Sequence, residues 1–252
     1  MADLKRRYPA PTYRPVLITE VTRMGGGYFC VAGWDVHGER MVRPLQSSGG
    51  NWRLIEDRYP FQVGELIHCI ASSRAHGILP HSTEDLVLAR QPSRLKVLRE
   101  PEAHRTLSET LDASIRKIFG NALIEDKYVI EGTGVRSLGA ILIPRRNLVF
   151  VESFGKLRAQ FIDLDGISYE LKVTSERFMR YFAPGANLPQ PQLGVEGANR
   201  LIGAIGANEN LIARVGLARG WDGPNHDWEP KRCYVQLNGL ICPEDNWHRL
   251  GL

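Results

Sequence analysis

The chain has 252 residues, of which 43% are hydrophobic and 24% charged, and its formal net charge is +4 at pH 7. This length suits one large domain or two of ordinary size, and the composition excludes a disordered or collagen-like chain. The slightly positive charge permits an anionic partner but does not require one.

The N-terminal segment and the cysteines bear on the location of the protein. Residues 1–15 are basic and proline-rich and lack the apolar core of a signal peptide, so we predict a flexible arm. Lys5, Arg6 and Arg7 in this arm suit a phosphate backbone or an acidic surface, with solvated disorder as the alternative. The cysteines at 30, 69, 233 and 242 fit neither a zinc nor a disulfide framework, and no apolar run approaches about 18 residues. We therefore expect reduced thiols in a cytoplasmic protein without a membrane contact.

Residues 16–100 show the pattern of a small β domain. Short runs of apolar and β-favouring residues lie between turn residues. They predict strands at Val16–Thr22, Tyr28–Trp34, Arg40–Leu45, Glu65–Ser72 and Asp85–Ala89. Gly25–Gly27 separates the first two strands, since a hairpin loop needs backbone angles that glycine adopts readily.

The pair Arg43-Pro44 closes the second of these hairpins, where an ordinary hairpin needs neither residue. Pro44 biases Arg43 toward an extended backbone, which gives the side chain a reproducible direction. Such an arginine either contacts a phosphate of a ligand or ties down the loop of residues 46–64, with Glu56 and Asp57 as partners. The sequence leaves both roles open.

Residues 101–126 change from period two to period 3.6. Leu107, Leu111, Ile115 and Ile118 recur at three- and four-residue steps, which predicts one helix. We expect its apolar residues Leu107, Leu111 and Ile115 to be buried between or beneath two barrels.

Residues 127–252 return to the pattern of short strands, now with inserted helices. The predicted strands are Leu138–Ile143, Leu148–Glu152, Arg158–Leu164, Ile167–Val173, Leu211–Leu217 and Cys233–Leu240, and the predicted helices are Ser175–Phe182 and Val195–Ile205. Short strands joined by turns favour small antiparallel barrels over a doubly wound sheet. The predicted fold class is mainly β with inserted helices, as two small barrels joined by a helix.

Alternation in the last two predicted strands assigns their side chains to two faces. We expect Val215, Val235 and Leu237 to point into the second barrel. We expect their neighbours Arg214, Gln236 and Asn238 to point outward. The excursion Ala218–Arg232 between the strands is too rich in aromatic residues for an inert linker.

Two stretches of the chain resemble a known family. The run Cys30-Val-Ala-Gly33, Asp35, Gly38, Val42-Arg-Pro44 and Gly64-Glu-Leu-Ile67 is similar to the opening hairpin and following strand of the bacterial dual OB-containing domain family. Ala213–Trp221 and Lys231–Ile241 resemble its closing strand pair. Met41 stands where the family often has tryptophan. If that tryptophan is a stacking platform in the family, this chain has either lost the platform or moved it to Trp34 or Trp52. The resemblance implies two OB-like barrels and no settled activity.

OB barrels commonly hold single-stranded nucleic acid in a basic groove lined with aromatic side chains. In the first barrel the candidate contacts are Trp34, Arg43, Trp52 and Arg53. In the second barrel they are Arg145, Arg146, Lys156, Arg158, Arg219, Trp221, Lys231, Arg232 and Tyr234. The alternative for each arginine or lysine is a solvated side chain without a ligand.

The sequence offers weaker patterns for catalysis or metal binding. Asp163 and Asp165 resemble a metal-binding pair, but Gly166 after them favours a hairpin turn. His68, Cys69, His76 and His81 fit no standard metal spacing. We therefore predict no catalytic residue, no metal site and no cofactor.

The predicted function is binding of nucleic acid, DNA or RNA and more often single-stranded, by an accessory subunit of a catalytic partner protein. A protein–protein adaptor without nucleic acid is the first alternative, and a metal-dependent hydrolase is the second. The oligomeric state is open.

Overall fold

The computed structural model describes residues 12–53, 61–72, 77–182 and 193–244. Within these ranges the chain is mainly β, with fourteen strands in two sheets of seven. The predicted arm residues Lys5 to Arg7, the predicted Arg43 partners Glu56 and Asp57, and His76 lie outside the described residues.

The first sheet contains the first seven strands, in the order β6-β3-β2-β1-β5-β7, with β4 paired to β2. They are β1 (Thr12–Arg23), β2 (Tyr28–Asp35), β3 (Arg40–Leu45), β4 (Trp52–Arg53), β5 (Glu65–Ala71), β6 (Asp85–Val87) and β7 (Ser93–Val97). Strand β6 runs parallel to β3. The sheet curls until the end of β6 meets the end of β5, where Ser72 N donates to Val87 O (2.7 Å) and Ala89 N donates to Ile70 O (2.8 Å). This closed sheet is called the first barrel below.

The second sheet repeats this connectivity in the order β10-β11-β12-β14-β13-β9, with β8 paired to β14. Its strands are β8 (Tyr128–Ile130), β9 (Leu138–Pro144), β10 (Val149–Ser153), β11 (Lys156–Ile162), β12 (Ser168–Val173), β13 (Asn210–Leu217) and β14 (Arg232–Ile241). Strand β14 runs parallel to β12, and a single turn at Arg145–Asn147 joins β9 to β10. The sheet, called the second barrel below, curls like the first, so both are OB-like, as predicted.

Short helices lie between and after the barrels. They are α1 (Glu100–Leu107), α2 (Ile115–Phe119), α3 (Glu176–Phe182) and α4 (Gly194–Gly203). Further single turns of 3₁₀ helix lie at Gly25–Gly27, His81–Thr83, Ser108–Thr110 and Gly120–Ala122. No helix in the described parts of the chain has the length and apolarity to cross a bilayer.

The predicted single helix between the barrels is wrong, because it divides at Leu111. Leu111 has an extended backbone, and Asp112 N donates to Ala140 O (2.9 Å), which attaches this residue to the edge of β9. Ser114 then starts α2 by accepting a hydrogen bond from Lys117 N. Leu107 and Ile115 are fully buried as expected, whereas Leu111 is only partly buried.

Most predicted strands are present with shifted ends. Strand β1 begins at Thr12, four residues before the predicted start, and pairs with β5 along this extension. The prediction missed β4, β7 and β8. Two of these are only two or three residues long, and every residue of β7 is exposed, so no alternation of burial marks it.

Each barrel has its own core, and a third apolar group lies between them. Val215, Val235 and Leu237 point into the second core, as predicted. Arg214 and Asn238 point away from the second core, as predicted, but both are buried. They lie on the outer face of the second barrel, but β14 packs against β1 of the first barrel and covers them. Gln236 is partly exposed.

Candidate functional site

OB barrels bind oligonucleotides on the outer face of their second and third strands, flanked by the loops before strands two and five. In the first barrel this face is formed by β2 and β3, and the second barrel covers part of it. Ala32 and Met41 from this face form a buried cluster with Leu138 of β9, and Trp34 packs against the cluster. The first barrel therefore cannot offer a full face to a strand of nucleic acid.

Arg43 lies in this covered face and is only 2% exposed. Its guanidinium donates to Asp85 Oδ1 (2.6 Å) and His81 O (3.2 Å) within the first barrel, and to Ser137 Oγ (2.8 Å) of the second. The predicted tie to Glu56 and Asp57 is not tested, because both lie outside the described residues. The contacts that the structure shows make Arg43 a tie between the two barrels, and its guanidinium is buried away from any surface that a ligand could reach.

Further hydrogen bonds join the barrels around Arg43. The Glu84 carboxylate accepts hydrogen bonds from Ser137 N (2.9 Å), Leu138 N (3.0 Å) and the Ser137 hydroxyl. The His81 imidazole lies 3.1 Å from Leu217 O, and burial, with help from Arg219 and Arg43, lowers the pKa of His81 to about 3. His81 is thus a neutral structural residue at ordinary pH.

A second buried ion pair crosses the junction at Glu20 and Arg214. Arg214 Nε lies 3.9 Å from Glu20 Oε2, and both side chains are at most 2% exposed. Burial raises the pKa of the Glu20 carboxyl, although the Arg214 charge opposes this. Such a pair costs desolvation free energy that its attraction only partly offsets.

The raised pKa of Glu20 predicts a pH dependence of stability. A carboxyl whose pKa is higher in the folded than in the unfolded chain stabilises most below the unfolded value, about 4.5, and loses that contribution as the pH rises through the folded pKa. In urea titrations, we expect the free energy of unfolding of the wild type, relative to Glu20→Gln, to fall as the pH rises above about 4.5. Glu39→Gln, at an exposed position, is the control. A relative stability that rises with pH would contradict this assignment.

The other first-barrel candidates do not form a surface. Trp52 is a core residue, 2% exposed, whose indole donates to Pro44 O (2.7 Å) and packs edge-on against Phe61. Arg53 is exposed, and its guanidinium stacks 4.2 Å above the Tyr28 ring. Trp52 is therefore not available to stack on a base, and Arg53 stands apart from Trp34.

In the second barrel the corresponding face, formed by β11 and β12, is open. Lys156 and Arg158 project from the outer side of β11, and Lys172 is the register partner of Arg158 on β12. These three residues are called the basic row. Partial burial and the charges of Lys156 and Arg158 lower the pKa of Lys172, as expected when cations are held close together. Glu170 lies 3.5 Å from Arg158 and balances part of this charge.

An aromatic cluster lies on the loop before β14, on the start of β14 and on β8. Trp221 contacts Trp228 (ring centroids 5.1 Å apart) and Tyr234 (5.9 Å), and Tyr234 contacts Tyr128 (5.4 Å). Arg232 lies over the Trp228 ring at 4.1 Å and over the Tyr128 ring at 4.8 Å. These five residues are called the aromatic cluster. Trp221 remains 42% exposed, so a flat ligand has access to it.

Two predicted basic residues of this loop belong to the surroundings of the cluster. Lys231 is partly exposed beside Arg232, and Arg219 is exposed with its guanidinium 4.0 Å from Asp85. The same loop also carries Asp222, Asp227 and Glu229, which balance these charges.

The hairpin between β10 and β11 carries an unusual residue at its tip. Phe154 is 91% exposed and has a left-handed backbone (φ +53°), a conformation that is costly for a bulky residue. Gly155 beside it completes a turn with two positive φ angles, as two-residue hairpins prefer. This tip and the aromatic loop are the two loops that flank an OB ligand face. Packing against the described residues does not account for an exposed phenyl ring there.

Arg145 and Arg146 lie in the turn that was predicted for them, but away from the basic row. The Arg145 guanidinium donates to Ile202 O of α4 (3.0 Å), which ties the turn to that helix. Arg146 is exposed. Of the second-barrel candidates, the structure therefore brings Lys156 and Arg158 together on β11, and Arg219, Trp221, Lys231, Arg232 and Tyr234 together around the loop.

Asp163 serves the hairpin turn that its sequence context favoured. Its Oδ1 accepts hydrogen bonds from Asp165 N (3.0 Å) and Ile167 N (3.1 Å). His68 and Cys69 are consecutive strand residues of β5, so their side chains point to opposite faces. In the residues described by the structure, no group of three histidine, cysteine or acidic side chains is placed to hold a metal ion.

Four residues of the basic row, the aromatic cluster and the hairpin tip were not predicted as contacts. Tyr128 lies on the short strand β8, which was not predicted. Lys172 lies on the predicted strand Ile167–Val173, but its pairing with Arg158 is known only from the register. Trp228 lies in the excursion Ala218–Arg232, which was recognised as rich in aromatic residues, but Trp228 was not named as a contact. Phe154 comes before Gly155 in a turn, and an exposed residue beside a turn glycine usually has no functional role.

Comparison with known proteins gives one match. A family model described as "Dual OB-containing domain" matches residues 15–240. No curated protein matches the chain.

Proposed function

Since this chain belongs to the dual OB-containing domain family, we propose that it binds single-stranded nucleic acid on the outer face of its second barrel. The single observation that carries this proposal is that the second barrel combines three cations on β11 and β12 with an exposed aromatic cluster on the loop before β14. Cations track a phosphate backbone, and aromatic rings stack on unpaired bases regardless of sequence.

The spacing of these groups suits a short segment of a strand. From the tip beside Lys156 to the far end of β11 at Ile162, the strand spans roughly 20 Å at about 3.3 Å per residue. Phe154 stands at one end of this length. The aromatic cluster lies toward the other end, because β14 runs parallel to β12 and begins near Arg232. We propose that bases stack at both ends while phosphates cross the basic row.

In this proposal the two barrels have different roles. The first barrel uses its second and third strands to hold the second barrel, through Met41, Arg43 and their partners. The second barrel keeps the equivalent face free. An accessory role beside a catalytic partner protein is part of the same proposal, and co-purification read for both protein and nucleic acid tests it.

Salt dependence of binding to a labelled single-stranded oligonucleotide tests the proposal. Replacing Lys156, Arg158 and Lys172 with alanine should weaken binding to all sequences alike. It should also lower the slope of log K against log salt by about two units, since each phosphate contact to a single strand contributes roughly 0.7.

The matched control replaces three exposed cations of the first barrel and α1, Arg90, Lys96 and Arg105, and should leave the slope unchanged. Wild-type binding that does not respond to salt would contradict nucleic-acid binding and favour the adaptor alternative. An equal loss in both triple variants would show attraction by net charge without a defined face.

A further inference from the structure

A cavity of about 420 Å³ opens at the junction of the two barrels. Its wall is built from the first barrel, from the segment after α1 and from the residues before β9; they include Trp34, Arg40, Met41, Asp112 and Arg136. The volume lies in the range of small-ligand sites and is much smaller than a path for a strand. The cavity is the part of the first barrel's β2–β3 face that the second barrel leaves uncovered.

Trp34 supplies an aromatic wall for this cavity. The side chain packs against the buried cluster of Ala32, Met41 and Leu138, and is itself only partly buried. Trp34 and Met41 are register partners on β2 and β3, so they stand side by side on this face. An indole fixed by packing on one side and open on the other is preorganised for stacking on a planar ring.

Some polar side chains of the cavity already form hydrogen bonds or ion pairs with the protein, and others do not. Arg136 holds Asp112 in a bidentate pair (2.7 and 2.8 Å), and the buried Glu84 carboxylate accepts several hydrogen bonds from the second barrel. Arg40 is exposed and makes no hydrogen bond or ion pair with the described part of the chain. Glu39 lies in the same wall at a left-handed backbone position. Among the described residues, the cation in this wall without a partner is thus Arg40, the first residue of β3.

We propose that the junction cavity binds one nucleoside monophosphate, with its base stacked on Trp34 and its phosphate paired with Arg40. The planar base of such a ligand matches the aromatic wall. Its phosphate matches the guanidinium of Arg40, because a guanidinium forms strong hydrogen bonds to phosphate oxygens. Because the wall belongs to both barrels and to the segment between them, the ligand binds only the assembled junction. It therefore stabilises the folded chain by mass action.

Calorimetric titration and thermal unfolding with adenosine, guanosine, cytidine and uridine monophosphates, and with the corresponding nucleosides, test this site. We expect at least one monophosphate to bind and to raise the melting temperature with concentration. Arg40→Ala should weaken monophosphate binding about tenfold and change nucleoside binding less than about twofold. Arg90→Ala, at another exposed and unpaired arginine, is the matched control and should bind as the wild type does.

Two further variants separate this site from the strand-binding face and from misfolding. Trp34→Leu should weaken binding more than about tenfold and Trp34→Phe less than about threefold, since phenylalanine keeps a stacking ring. Trp221→Ala should leave monophosphate binding unchanged, whatever its effect on oligonucleotides. No binding at about 5 mM ligand, wild-type affinity in Arg40→Ala, or equal binding of inorganic phosphate alone would each overturn the proposal.

Discussion

Replacing Arg43 with alanine is expected to lower the free energy of unfolding by about 3–5 kcal/mol, the cost of breaking a buried ion pair by removing one partner. The substitution leaves Asp85 buried without its 2.6 Å partner, and it removes the hydrogen bond to Ser137 that crosses between the barrels. Urea denaturation monitored by tryptophan fluorescence measures this loss.

The matched control for Arg43→Ala is Arg105→Ala, because Arg105 is exposed on α1 and should change stability by less than about 0.5 kcal/mol. Arg43→Lys should recover only part of the loss, since an ammonium group cannot reproduce the three-way contact of the guanidinium. A melting temperature that is unchanged in Arg43→Ala, together with lost oligonucleotide binding, would refute the tie between barrels and return Arg43 to the ligand surface.

The strands were predictable because their signals are local. Alternation over six to eight residues and turn residues such as Asp165-Gly166 mark strand and hairpin without knowledge of the partners. The inward residues Val215, Val235 and Leu237 followed from the same alternation. Arg43 could be singled out in the same way, since a proline after it fixes the local backbone.

The features that the sequence did not predict depend on contacts between distant parts of the chain. Arg214 and Asn238 lie on the outer face of their barrel, as alternation predicts, but alternation could not show that the packing of β1 against β14 buries them. The helix between the barrels breaks at Leu111 because Asp112 forms a β-bridge with the edge of β9. The spacing of apolar residues in the sequence does not show such a bridge. A sequence pattern gives two faces of a strand and does not say that both are covered.

In the candidate site, too, local signals were predictable and long-range burial was not. Trp221 and Arg232 were visible because aromatic and basic residues are concentrated in one insertion of the sequence. Trp52 has the same residue type and a comparable loop context, yet its ring fills the first core. Composition can therefore locate a loop that carries aromatic residues, but burial decides which of the rings a ligand can reach.

For the open face of the second barrel, Trp221→Ala is expected to weaken binding of a single-stranded oligonucleotide about 5- to 150-fold, since one base–aromatic stack contributes roughly 1–3 kcal/mol. Phe154→Ala, at the opposite end of the face, should act in the same direction. Both side chains are largely or partly exposed, so the melting temperature should change little. Fluorescence anisotropy across a salt series gives affinity and slope together.

The slope separates stacking from charge at this face. Trp221→Ala removes no phosphate contact, so log K should fall by a constant amount at every salt concentration and the slope should stay at its wild-type value. Leu95→Ala is the control, because Leu95 is 52% exposed on β7 of the other barrel and should leave affinity and slope unchanged. If Trp221→Ala and Phe154→Ala bind as tightly as the wild type while the Lys156, Arg158 and Lys172 variant does not, bases do not stack there. The face would then hold the phosphate backbone alone, and a duplex should bind it as well as a single strand does.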